Sequence, residues 1–238
     1  MHFHLPKPLH NWREFVGEVG IIVIGVLIAL GGEQLVERWH WQQKVAETIE
    51  DLDGELRRNA VNAYDWLTIA PCVDARLAAI DAALTAARQT GRITPTAPLN
   101  PPLVVMLEDT WLNARALQVT NHLKREQVAR YSRLFFYPRQ LSISILELHK
   151  EAAELRSLNA GISPISSDEV GAYQRQVGRV YELLERVELG ETLLLRRLKS
   201  HGISLTQGEM DEILATNRAW AGECVAKPNP NRQFTPGT

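Results

Sequence analysis

The chain has 238 residues, with 26 basic side chains against 28 acidic ones and a formal net charge of −2. That balance argues against a nucleic-acid binder, and a hydrophobic share of 45% argues against a disordered tail. No G-x-S-x-G, H-E-x-x-H, Walker A or C-x-x-C motif occurs, so the sequence offers no ready-made catalytic or cofactor centre.

Residues 1–14 form a short tail carrying Lys7, Arg13 and three histidines, His2, His4 and His10. The histidines lack an acidic co-ligand nearby, so charge at a membrane surface is preferred to a metal site. Residues 15–32 contain a single charge, Glu18, and their 18 positions lie near the lower limit of roughly 17–25 for a spanning helix. Trp12 precedes the run and Trp39 and Trp41 follow it, as interfacial aromatics do. Lys7 and Arg13 are balanced by Arg38 and Lys44, which leaves the positive-inside count indecisive. The free amino terminus and the long downstream region favour an anchor with its N-terminus in the cytoplasm. The expectation is a single-pass protein of the bacterial inner membrane: cytoplasmic tail 1–14, transmembrane helix 15–32, periplasmic domain 33–226, disordered tail 227–238. A cleaved signal peptide is the rival reading, with Ala29-Leu30-Gly31 as its small-x-small site. Glu18 inside the apolar region, and the lack of turn formers before the site, speak against it.

On a helix, Glu18, Ile22, Gly25, Ala29 and Gly32 share one face. Gly25-x-x-x-Ala29 is a small-xxx-small pair of the kind that lets two helices approach closely in lipid. This face is the candidate contact with a second copy or a membrane-protein partner. Glu18 reads as an interfacial, hydrated carboxylate rather than a proton carrier. The stretch Gly17 to Leu30, with Glu18, Val23, Ile24, Gly25, Leu27, Ile28, Ala29 and Leu30, followed by Glu33 and Trp39, resembles the N-terminal segment of uncharacterised bacterial single-pass membrane proteins. The resemblance covers about forty residues. It implies an anchored protein and carries over no catalytic residues.

Beyond the span the pattern is helical. Leu35, Trp39, Gln42, Val45, Ile49, Leu52, Leu56, Ala60, Ala63 and Leu67 recur every three or four residues, which predicts one helix from Trp12 to Ile69. Pro71 is expected to stop it, with a second helix from Cys72 to Thr90 ended by Gly91. A linker follows over about 91–102, then a short helix over Leu103–Leu117. A long helix over Lys124–Asn159 is expected to kink at Pro138. The last long helix is capped by Ser166-Ser167-Asp168-Glu169 and ends at Gly202. Its stripe of Val170, Tyr173, Val177, Val180, Leu184, Val187, Glu191, Leu194 and Leu198 reads either as a coiled-coil seam or, preferably, as one face of an intramolecular bundle. A short helix over Thr206–Gly222 completes an all-α fold, a single transmembrane helix continuing into an antiparallel helical bundle.

Cys72 and Cys224 are either two buried thiols or one disulfide, and an oxidising compartment favours the bridge. Closing so long a loop is worth on the order of 4 kcal/mol in the chain-entropy model. Neither cysteine has a ligand-spaced neighbour, and no metal or cofactor is expected. The densest polar-aromatic cluster joins Asp109, Trp111, Arg115, His122 and Tyr131. Were it to line a cleft, Arg115 and His122 could hold an anion between the two aromatic walls. The alternative is a core tryptophan with an Arg–acid pair at its rim. The leading functional expectation is a non-enzymatic, anchored interaction or scaffold module whose partners are the lipid bilayer and a second copy or other membrane protein. A ligand-binding sensory bundle signalling through another subunit is the alternative.

Overall fold

The computed structural model describes residues 12–160 and 164–228. No strand occurs among them. The helices are α1 (Trp12–Thr90), α2 (Asp109–Ala116), α3 (Arg125–Leu134), α4 (Phe136–Leu155), α5 (Ser167–Ser200) and α6 (Gln207–Ala221), with 3-10 turns at Val119–His122 and Arg156–Ala160. The chain divides into two compact units, one up to Thr48 and one from Ile49 onward.

Among the described residues of the first unit no apolar side chain is buried. Ile21, Leu27 and Ile28 are 74%, 62% and 70% exposed. Leu35 and Trp39, which open the expected amphipathic stripe, are exposed as well. This stretch, beginning at Phe15, is long and apolar enough to cross a membrane.

In the second unit α1 supplies an unbroken row of buried positions: Leu56, Asn59, Ala63, Trp66, Ala70, Val73, Leu77, Ile80, Leu84 and Ala87. The steps alternate three and four from end to end. Pro71 lies beside this row and does not stop the helix, contrary to the sequence expectation. A proline inside a helix costs roughly 3 kcal/mol, whereas each of Val73, Leu77, Ile80 and Leu84 returns about 1.5–3 kcal/mol when buried. Continuing in register keeps all four on the core. The helix ends at Gly91, at φ +63°, whose N–H donates to the Ala87 carbonyl.

Two further expectations are corrected. The segment after Gly91 stays irregular as far as Glu108, so Leu103–Glu108 are not helical. Asn59, fully buried on α1, donates to the Leu107 carbonyl at 2.7 Å and accepts from the Leu107 N–H at 2.8 Å. Asn62 donates to the Val105 carbonyl at 2.8 Å. These side chains take backbone groups that a helix would have used itself. The helix expected over Lys124–Asn159 breaks at Phe135, between α3 and α4. Pro138 therefore falls in the first turn of α4, where its missing N–H costs nothing.

α4 and α5 pack closely and run antiparallel, as their pairings show. Glu151 meets Gln176 and Arg179 (2.9 and 3.1 Å), Glu147 meets Arg186 (3.7 Å), and Leu141 lies against Gly190. A Cβ at Gly190 would sit 2.7 Å from Leu141 Cδ2, so glycine here allows the close approach. α5 begins with a capping box: Ser166 Oγ accepts from Glu169 N–H, and the Glu169 carboxylate accepts from Ser166 N–H. The α5 stripe is buried within this chain, apart from half-buried Tyr173, so the seam is occupied by the protein's own core.

α6 is capped in the same way by Thr206 and Glu209. It is tied to α1 by Arg57, whose guanidinium donates to both Glu209 oxygens at 2.7 and 2.8 Å. Asn217 donates to Asp65 Oδ1 and Thr68 Oγ1, both at 2.7 Å. Cys72 and Cys224 are joined in a disulfide with a Cα–Cα distance of 5.0 Å. Lys227, expected from the sequence to lie in a disordered tail, reaches Asp211 at 3.5 Å. The rest of that tail from residue 229, and the N-terminal histidines His2, His4 and His10, lie outside the described residues.

Candidate functional site

Trp111 and Tyr131 do come together, but in the core. Trp111 on α2 stacks on Phe135 with ring centroids 6.0 Å apart and planes 3° from parallel, and lies 6.3 Å from Tyr131. Tyr131 is 1% exposed, and its hydroxyl donates to Asp53 Oδ1 at 3.0 Å. Arg130 reaches the same carboxylate oxygen at 3.3 Å and lies over the Tyr131 ring. Burial, followed by the hydrogen bond and charge of Asp53, pushes the Tyr131 phenol up to about 12 against the pull of Arg130. A phenol held there keeps its proton at physiological pH and acts as a donor.

Asp109, Arg115 and His122 are exposed. Asp109 sits in the first turn of α2 and Arg115 in its last, where each charge suits the helix dipole. The aromatic walls are thus consumed by packing while the charged members face solvent. Trp111 is packed in the core, as the alternative expected, but the Arg–acid pair that the alternative placed at its rim is not seen among the described residues. Asp53 and Phe135, the residues that organise Trp111 and Tyr131, are remote from them in the sequence or fall in a helix break, and gave no signal.

A second arrangement was also silent in the sequence. Glu55, 3% exposed on α1, accepts from Thr110 N–H at 3.1 Å and from Thr110 Oγ1 at 2.7 Å. It thereby caps the start of α2, which lacks a side-chain cap of its own. Glu191 on α5 is fully buried, and neither carboxylate oxygen has a hydrogen-bond partner among the described residues. Burial raises its pKa well above the ordinary value. Among the described residues no group of three or more His, Cys, Asp or Glu side chains is placed to hold a metal ion.

On the first unit, Glu18, Ile22, Gly25, Ala29 and Gly32 are all exposed on α1. A Cβ built at Gly25 or Gly32 meets nothing within 4 Å, so the face is open along its length. The chain matches no known protein family, no curated protein and no solved structure.

Proposed function

We propose that this protein is a membrane-anchored helical-bundle module that acts through protein contacts rather than catalysis. The observation that carries the reading is the row of exposed apolar residues Phe15, Val16, Val19, Ile21, Ile22, Val23, Ile24, Val26, Leu27, Ile28 and Leu30. Left in water, such side chains forfeit about 1.5–3 kcal/mol each, so the row together outweighs the roughly 5–15 kcal/mol by which a domain is stable. Lipid removes that cost. Trp12 and Trp39 stand 27 residues apart, about 40 Å at 1.5 Å per helical residue, which matches a bilayer with its headgroups.

In this reading residues 15–32 span the bacterial inner membrane and the N-terminus is cytoplasmic. The Cys72–Cys224 bridge supports a periplasmic location for the second unit, because disulfides persist in oxidising compartments. That unit is an antiparallel bundle, of which the α4–α5 pair is one part. Two open surfaces support an interaction role: the Gly25–Ala29 face for a second copy or another spanning helix, and the exposed row Phe136, Ile143 and Leu146 on α4.

Cross-linking the full-length protein in intact membranes tests this. The expected result is a homo-oligomer or a reproducible partner, diminished by Gly25→Leu combined with Ala29→Leu. A carbonate wash should leave the protein in the membrane pellet. A monomer with no cross-linked partner, or release by carbonate, sinks the proposal.

A further inference from the structure

Beside the disulfide, the second unit has a half-open groove of about 490 Å³. Its volume lies within the range of roughly 300–1,000 Å³ found for small-molecule sites. The floor is apolar and buried, formed by Ile69, Val73 and Leu99. Cys72 and Cys224 contribute to the wall, and the rim carries Arg76, Asn100 and Trp220.

Two features of the rim point to one kind of occupant. Arg76 is the single charged side chain among the residues lining the groove, and it makes no ion pair among the described residues. Trp220 keeps 64% of its surface exposed, yet its ring is held in place. Its Nε1–H donates at 3.0 Å to Asn217 Oδ1, and Asn217 is itself buried and anchored on Asp65 and Thr68. A large exposed indole fixed by a buried amide is a pre-organised stacking surface, bound without the entropy cost of ordering it.

We propose that this groove binds a small organic anion with a flat apolar body, its carboxylate on Arg76 and its ring against Trp220. Arg76 offers a planar fork that matches a carboxylate. Asn100 supplies a neutral amide at the same rim. The inference concerns the second unit alone and stands whether or not the chain is anchored.

The test uses full-length protein in lipid nanodiscs with 4-fluorophenylacetate as probe, followed by ¹⁹F NMR, and 4-fluorophenylacetamide as its uncharged counterpart. The carboxylate should bind saturably and the amide about tenfold more weakly, a ratio that corresponds to one lost charge-assisted hydrogen-bonded contact. Arg76→Gln should remove the preference for the carboxylate over the amide. Trp220→Ala should weaken both ligands alike. Equal binding of carboxylate and amide to the native protein, unchanged binding in both variants, or no saturable binding of the carboxylate overturns the proposal.

Discussion

Glu191 illustrates how a single side chain sets a pH dependence. Its carboxyl is buried without a hydrogen-bond partner among the described residues, and burial raises its pKa in the folded protein well above the ordinary 4.5. The folded state therefore holds a proton that the unfolded chain releases as pH rises above that value. Unfolding is then linked to proton release, and stability falls as pH increases through the interval above 4.5. Glu191→Leu should raise the melting temperature more at pH 8 than at pH 5. Equal gains at both pH values would show that the residue does not titrate in this way. Tyr131 behaves differently, because its polar end is satisfied by Asp53. Tyr131→Phe should cost about 0.5–1.5 kcal/mol, the usual net worth of one hydrogen bond, read from denaturant midpoints. The sequence marked Glu191 as the one polar member of a seam but could not show that its oxygens would be left alone. Nor could it show that Trp111 would spend its face on Phe135, which lies 24 residues further along the chain and on no shared helix face.

At the level of elements, periodicity was the dependable signal and tertiary hydrogen bonds the hidden one. The caps at Ser166 and Thr206 and the glycine stop at Gly91 follow from local rules, and all three are present. The passage of α1 through Pro71 was also legible in principle, since the three-four row runs across it in phase. A local rule about proline obscured it. The irregular path of residues 103–108 was not legible, because Asn59 and Glu55 lie some fifty residues away and carry no pairing signature. Asn59→Ala should expose this dependence. It leaves the Leu107 N–H and carbonyl without partners, at about 1–3 kcal/mol each, and should abolish hydrogen-exchange protection of the Leu107 amide. Retained protection would mean that the segment holds its path without the asparagine. At the α4–α5 contact, Gly190→Leu should destabilise by about 1–3 kcal/mol through overpacking against Leu141. Leu141→Ala should then suppress part of the loss, a non-additivity measurable by a double-mutant cycle.

Taken whole, the protein contains two regions with opposite requirements. From Ile49 onward many apolar residues pack into a core, whereas those between Phe15 and Leu30 do not. The second region is stabilised by more than burial. The disulfide closes 152 positions of chain, and its reduction should cost about 2–5 kcal/mol, visible as a lower melting temperature in a phosphine reductant. Arg57–Glu209 and Asn217 should keep α6 docked below that temperature. Loss of α6 helicity on reduction alone would contradict this.

The same covalent closure has a mechanical consequence. Tension applied between the start of α1 and the chain beyond Cys224 passes along α1 to Cys72, crosses the two sulfurs and leaves at Cys224. The chain between the two cysteines, which are 152 positions apart, carries no load while the bridge is intact. Stretched singly, the oxidised molecule should therefore yield little contour length. Cutting the bridge should release roughly 500 Å more, at about 3.3–3.6 Å per residue. The disulfide acts as a shunt that keeps the chain between Cys72 and Cys224 out of the load path.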